Sequence, residues 1–128
     1  MSSRKIAVIG VGNMARSIIC GIINAKMDVD EIVLFDKNPS QYELLNSVEK
    51  FRFKYVESIE EAVALCDCVL LSVKPQNYDE VLDKIKTVDT SRDKLYISIA
   101  AGITVDTVSL KLDGARVVRV LPNVPMLI

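Results

Sequence analysis

The chain has 128 residues, of which 50 % are hydrophobic and 26 % are charged, with a formal net charge of −1. This length and apolar share indicate one globular core and exclude a disordered or fibrous chain. No basic excess points to a nucleic-acid partner, and no apolar run approaches the ~20 residues of a membrane-spanning helix, so neither partner is expected.

Short apolar runs alternate with segments of helical spacing along the chain. Six strands are predicted, over residues 5–10, 31–35, 53–56, 66–73, 95–100 and 116–121. Five helices are predicted between them, over residues 14–25, 41–48, 59–65, 78–85 and 105–112. Nearly continuous Val, Ile and Leu strands that alternate with helices are typical of a parallel sheet covered on both faces. The sequence therefore predicts a single doubly wound α/β domain, in three αβα layers, with strand order 3-2-1-4-5-6.

A glycine-rich turn follows the first predicted strand. In the stretch IGVGNMA, Gly10 permits a tight turn, Gly12 lets backbone approach a diphosphate, and Ala15 lets the next helix pack closely. The amides and the positive end of that helix favour the same anion. Because the turn follows a strand and opens a helix in a βαβ unit, it predicts a Rossmann-type site for NAD or NADP. A glycine-rich turn without a ligand is the alternative.

An acidic residue ends the second predicted strand. Asp36 stands where a carboxylate accepts hydrogen bonds from ribose hydroxyls and repels a 2′-phosphate, which favours NAD. Lys37, Asn38 and Ser40 follow it and are able to hold a phosphate, which favours NADP. The choice between the two cofactors stays open at this point. An ordinary turn, capped by Asn38 or Ser40, is the alternative.

Three cysteines, Cys20, Cys66 and Cys68, lie in apolar surroundings. Their odd number indicates reduced thiols, and hence a cytoplasmic protein, rather than a disulfide framework. Cys66 and Cys68 are expected to share one face of the fourth strand, but no His and no further Cys completes a metal-ligand set. We therefore expect buried core thiols and no metal site.

The carboxyl ends of the later strands carry three more motifs. Lys74 and Pro75 end strand four beside strand one, at the switch point where open α/β sheets bind ligands. A solvated cation followed by a helix-starting proline is the alternative. The Ala-Ala-Gly at 100–102 leaves room for a flat ring to approach the backbone. Asn123, in a loop stiffened by prolines, offers an amide that can pair with a carboxamide.

These motifs together resemble one family. SVKPQ, SIAAGIT and VVRVLPNVP, in this order behind IGVGNMA, look like the amino-terminal half of pyrroline-5-carboxylate reductase, the last enzyme of proline biosynthesis. The resemblance covers essentially the whole chain and implies reduction of the small molecule 1-pyrroline-5-carboxylate to proline with NADPH or NADH. It also implies that the chain stops before a helical domain, which forms a homo-oligomer and much of the substrate pocket.

The resemblance assigns cofactor contacts, but it assigns no catalytic residue to this half. The residues implied to hold or line the cofactor are Gly10, Val11, Gly12, Asn13, Met14, Ala15, Asp36, Lys37, Ser72, Val73, Lys74, Pro75, Ala100, Ala101, Gly102 and Asn123. Hydride transfer demands mainly orientation and electrostatics from the protein, and the chain has no His for acid–base chemistry. This half is therefore expected to bind a dinucleotide without useful turnover.

Two other functions are weighed against this interpretation. One is the cofactor-binding half of a dehydrogenase acting on 3-hydroxy acids, whose catalytic lysine comes from its second domain. Lys-Pro-Gln together with Pro-Asn-x-Pro argues against it. The other is a non-catalytic NAD(P)-sensing module that ends at Ile128, although such a module has no reason to expose the apolar Met-Leu-Ile at its end.

Overall fold

The computed structural model describes residues 5–24, 29–38, 53–88, 94–99, 102–112 and 114–120. Its strands are β1 (Lys5–Ile9), β2 (Glu31–Phe35), β3 (Phe53–Tyr55), β4 (Cys68–Leu71), β5 (Leu95–Ser98) and β6 (Arg116–Arg119). Its helices are α1 (Asn13–Asn24), α2 (Ile59–Leu65), α3 (Tyr78–Lys86) and α4 (Val105–Lys111). The strands form one parallel sheet in the order β3-β2-β1-β4-β5-β6. The predicted doubly wound fold and its strand order are confirmed.

Most element boundaries differ from the predictions by only a few residues. β2 and α2 begin and end where the sequence predicts, whereas the helix predicted over 41–48 lies outside the described residues. The prediction that strand four begins at Cys66 is wrong. The Cys66 N–H donates to the Val63 carbonyl at 3.3 Å and so ends α2, which delays β4 to Cys68. The two cysteines are therefore not alternate residues of one strand.

Apolar side chains fill both faces of the sheet. In β1, Ala7 and Ile9 are fully buried against the side covered by α2, α3 and α4, while Val8 packs on the side of α1. This alternation follows from the two-residue period of a strand, and burial on both faces explains why β1 is apolar at every position after Lys5. The sheet thus lies between two apolar layers.

Local capping sets where the helices leave this edge. The Ser58 hydroxyl accepts from the Glu61 N–H at 3.1 Å and opens α2, and Thr104 caps α4 in the same way through Thr107. Before α3 the chain makes one 3-10 turn, Pro75–Asn77, after an extended Lys74. Because a residue before proline is pushed to extended backbone, helical conformation begins only at Pro75, after β4 has ended at Leu71.

The cysteines differ in their surroundings. Cys66 is buried, whereas Cys20 and Cys68 are partly exposed. Burial raises the pKa of the Cys66 thiol to about 12 and also raises the pKa of Cys68. Within the described residues, no group of three or more His, Cys, Asp or Glu is placed to hold a metal ion. The helices of that same part of the chain include none with the length and apolar character needed to cross a membrane.

Candidate functional site

A cleft of about 310 Å³ opens at the carboxyl ends of β1, β2 and β4. β1 and β4 are neighbours in the sheet, and the chain leaves them toward opposite faces, so the cleft lies at the switch point of the fold. Seven of the predicted residues line it: Gly10, Gly12, Asp36, Lys37, Ser72, Val73 and Lys74. Five further lining residues were not predicted: Ile9, Phe35, Ile59, Asn77 and Val81.

Gly10 is required by the geometry of the loop itself. Its φ is +95°, a conformation that residues with a side chain rarely adopt. A Cβ at this position would lie 2.9 Å from the Ser72 carbonyl oxygen and 2.9 Å from the Val73 Cγ1. The Gly10 N–H donates to the Phe35 carbonyl at 2.8 Å, which fixes the loop against the end of β2. Gly10 therefore brings the ends of three strands close together.

Gly12, in contrast to the crowded Gly10, lies in open surroundings. A Cβ there would meet no atom within 4 Å, so the backbone beside it is open to an approaching group. It immediately precedes the 12-residue helix α1, whose first turn carries no acidic side chain to offset the positive end of the helix dipole. An open backbone in front of a helix N-terminus fits a diphosphate.

Asp36 fastens the glycine loop to the turn after β2. Its Oδ2 accepts from the Val11 N–H at 2.6 Å, and its Oδ1 accepts from the Asn38 N–H at 2.8 Å. Hydrogen bonds to an ionised carboxylate are among the strong ones, so this residue holds two loops in one geometry. The spacing of Asp36 from the glycine loop predicted a ribose contact but gave no sign of this second role.

Ser72 joins the end of β4 to the same loop. Its hydroxyl donates to the Ile9 carbonyl at 3.1 Å and also contacts the Gly10 carbonyl oxygen, and its N–H donates to Ile9 at 3.0 Å. Val73 and Lys74 follow along the cleft wall, where Lys74 is exposed. The SVK motif therefore contributes both a structural hydroxyl and a cation at the cleft.

A buried polar contact lies behind this wall. The Tyr78 hydroxyl donates to the Leu71 carbonyl at 3.0 Å and lies 2.9 Å from the Ser98 Oγ. Tyr78 and Ser98 are 3 % and 1 % exposed, so the contact is shielded from water. It ties the start of α3 to the ends of β4 and β5. A tyrosine among the apolar positions of α3 is a signal that sequence reasoning did not use.

The remaining predicted residues lie away from the cleft lining or outside the described residues. Val11 and Ala15 are fully buried behind the glycine loop, where they pack α1 against the sheet. Asn13 begins α1. Met14, Pro75 and Gly102 are not among the lining residues. Ala100, Ala101 and Asn123 lie outside the described residues.

The unpredicted lining residues form an apolar wall. Ile59 is the first residue of α2, Val81 lies on α3 and Phe35 ends β2. Ile59 directly follows the cap Ser58 and is buried, so its apolar character at the start of a helix was the available signal. Together with Asn77, this wall gives one end of the cleft the mixed apolar and polar character typical of small-molecule sites.

Comparison with known proteins identifies relatives of this chain in sequence and in structure. The family profile described as NADP oxidoreductase coenzyme F420-dependent matches residues 5–102. The pyrroline-5-carboxylate reductase of Pasteurella multocida is 36 % identical over 134 residues, covering 100 % of this chain and 47 % of the relative. The solved pyrroline-5-carboxylate reductase from Coxiella burnetii has a TM-score of 0.82 at 27 % identity, covering 97 % of this chain and 46 % of that one.

A second solved structure is that of Plasmodium falciparum pyrroline carboxylate reductase with NADP bound. It has a TM-score of 0.76 at 28 % identity and covers 98 % of this chain and 44 % of that one. The chain spans about half the length of the curated relatives it matches. The similarity to pyrroline-5-carboxylate reductase that the motifs predicted is confirmed in sequence and in structure. With the profile covering most of its length, the chain belongs to the family described as NADP oxidoreductase, coenzyme F420-dependent.

Proposed function

We propose that this chain is the cofactor-binding half of a pyrroline-5-carboxylate reductase, which reduces 1-pyrroline-5-carboxylate to L-proline with NADPH or NADH. The observation that carries the proposal is the agreement of two independent features. Relatives bearing that name match 93–100 % of the chain, and the cleft at the switch point has an open glycine loop in front of α1.

The chain's own residues suit a binding and orienting role. Gly12 and the first amides of α1 would hold the diphosphate, and Asp36 with Lys37 would lie at the adenosine ribose. Ser72, Val73 and Lys74 would border the cofactor further along the cleft. A reduced nicotinamide, when bound, supplies the hydride, so the protein need not provide a nucleophile.

We assign the remaining predicted contacts to the same function. Ala100, Ala101 and Gly102 would border the nicotinamide end of the cofactor, and Asn123 would lie near its carboxamide. Groups that bind the substrate carboxylate and nitrogen would come from a second, helical half. On this proposal the assembled enzyme is a homo-oligomer that works in the cytoplasm and needs no nucleic acid.

Titration of the chain with NADPH and with NADH, followed by nicotinamide fluorescence, tests the binding half of the proposal. Saturable binding of at least one dinucleotide is expected, and Gly12→Ala is expected to weaken it without unfolding the chain. If neither dinucleotide binds, the assignment of the cleft is wrong.

A turnover assay tests the proposal that this half binds the cofactor and another half binds the substrate. The 128-residue chain should bind cofactor yet show no reduction of 1-pyrroline-5-carboxylate above the buffer rate. Measurable turnover by this chain alone would contradict the assignment of substrate binding to another half. Turnover with a 3-hydroxy acid instead would favour the alternative dehydrogenase.

A further inference from the structure

An ion pair spans the mouth of the cleft between its two walls. Lys37, in the turn after β2, lies 3.4 Å from a carboxylate oxygen of Glu80 on α3. Lys37 itself lines the cleft, and so does Val81, the residue after Glu80. The pair therefore lies beside the part of the cleft that Asp36 and Lys37 line, where the proposed function places the ribose.

Glu80 also contacts a second lysine. Its other carboxylate oxygen lies 3.9 Å from the Lys84 ammonium, one helical turn further along α3. The Glu80 carboxylate thus contacts two ammonium groups, those of Lys37 and Lys84. Lys37 follows Asp36, where the proposed function places the ribose and therefore a 2′-phosphate, but Glu80 already partners it.

We propose that Glu80 is a specificity-determining residue, which holds Lys37 and thereby weakens binding of a dinucleotide that carries a 2′-phosphate. The inference rests on the proposed function, that this cleft binds a dinucleotide. A 2′-phosphate would have to draw Lys37 away from Glu80 and would lie close to the Glu80 charge. A dinucleotide with a free 2′-hydroxyl meets neither obstacle.

A substitution at Glu80 tests the effect of charge more directly than a substitution at Asp36. Both oxygens of Asp36 accept backbone N–H groups, so its replacement would disturb the glycine loop along with the charge. The Glu80 side chain is 52 % exposed, and its carboxylate contacts the two lysines. Glu80→Gln therefore removes one charge beside the cleft and leaves the glycine loop in place.

The test compares dissociation constants for NADPH and NADH in the full chain and its variants. Glu80→Gln should tighten NADPH binding by roughly two- to fivefold, the range that an exposed ion pair supports, while NADH binding stays within about 1.5-fold. Asp83→Asn is the matched control, because Asp83 is an exposed carboxylate on the same helix, whereas the ion pair of Lys37 is with Glu80. Asp83→Asn should leave the ratio of the NADPH and NADH dissociation constants unchanged.

A second variant shows whether Glu80 acts through Lys37. In a Lys37→Gln background, Glu80→Gln should change the ratio far less than it does in the native chain. The inference is overturned if Asp83→Asn shifts the ratio equally, if Glu80→Gln leaves it unchanged, or if the shift survives without Lys37. Failure of the native chain to bind either dinucleotide would instead overturn the proposed function, and this inference with it.

Discussion

Gly10 and Gly12 lie two positions apart in one loop and have different roles. Gly10 is constrained by its positive φ and by the backbone of Ser72, so the fold itself requires it. Gly12 has open space around it, so nothing in the described fold requires it. A ligand that needs close backbone approach explains the second glycine.

Substitution separates the two roles. Gly10→Ala is expected to lower the free energy of unfolding by about 2–4 kcal/mol, from backbone strain and the clash at Ser72. Gly12→Ala should change it by less than about 0.5 kcal/mol, because its Cβ meets nothing, yet weaken dinucleotide binding on the order of tenfold. Urea unfolding and fluorescence titration of both variants measure these quantities. Equal loss of stability in the two would contradict the interpretation.

Cys66 makes the stability of the chain depend on alkaline pH. Its pKa is raised by burial to about 12 in the folded state, against the ordinary value of 9.0 expected when unfolded. Between these values the folded state binds more protons, so stability falls as pH rises from about 9 to 12. The contribution reaches about 1.4 kcal/mol per pH unit.

Cys66→Ala should therefore make the free energy of unfolding fall less steeply above pH 9, by up to about 1.4 kcal/mol per pH unit. Lysines and tyrosines titrate in the same range, so the informative quantity is the difference between variant and native chain at each pH. Parallel profiles for the two proteins would show that Cys66 does not contribute.

At the scale of elements, α3 is the part that shapes the cleft wall. Its first residue, Tyr78, is joined to the ends of β4 and β5 through Leu71 and Ser98. The SVKP motif crosses from β4 to this helix, and Glu80 and Val81 follow within one turn. The position of the helix start therefore sets the position of the lining residues.

Tyr78→Phe is expected to cost about 1–3 kcal/mol of stability, because it leaves the buried Ser98 hydroxyl without this partner. The Leu71 carbonyl loses one of two donors and still accepts from the Ile99 N–H at 3.3 Å. Ser98→Ala removes the other side of the same contact. If the two act as one unit, the double variant should lose less stability than the sum of the single losses, as measured by urea unfolding. Strict additivity would show that the 2.9 Å contact carries no coupling.

For the whole molecule, ligand binding and folding are linked. A dinucleotide that binds only the folded chain adds about 2.7 kcal/mol of stability when its free concentration is a hundred times its dissociation constant. For a domain of this size, that shift raises the unfolding midpoint by roughly 8–13 °C. Thermal unfolding with and without NADPH or NADH measures it. Gly12→Ala should keep the native midpoint without ligand and lose about half of the shift at the same ligand concentration, because tenfold weaker binding leaves about 1.4 kcal/mol.

The amino-acid sequence by itself determined the fold class, the strand order and the place of the glycine loop. Strand-length apolar runs alternating with helical spacing leave few topologies, because crossovers are right-handed and the sheet must be covered on both faces. The same local signals placed β2 and α2 to the residue. The motifs also predicted the similarity to pyrroline-5-carboxylate reductase, since those short stretches are specific in their order.

Only the tertiary structure decided which side chains meet across the cleft. Asp36 accepts from Val11, and Lys37 pairs with Glu80, 43 positions along the chain. No local pattern encodes such contacts, because they depend on how α3 and the turn after β2 are placed by their separate packing against the sheet. The late start of β4 has a local cause instead, since the Cys66 N–H bonds to the Val63 carbonyl, three residues earlier at the end of α2. Local periodicity sets the elements, and long-range packing sets the charges that face one another.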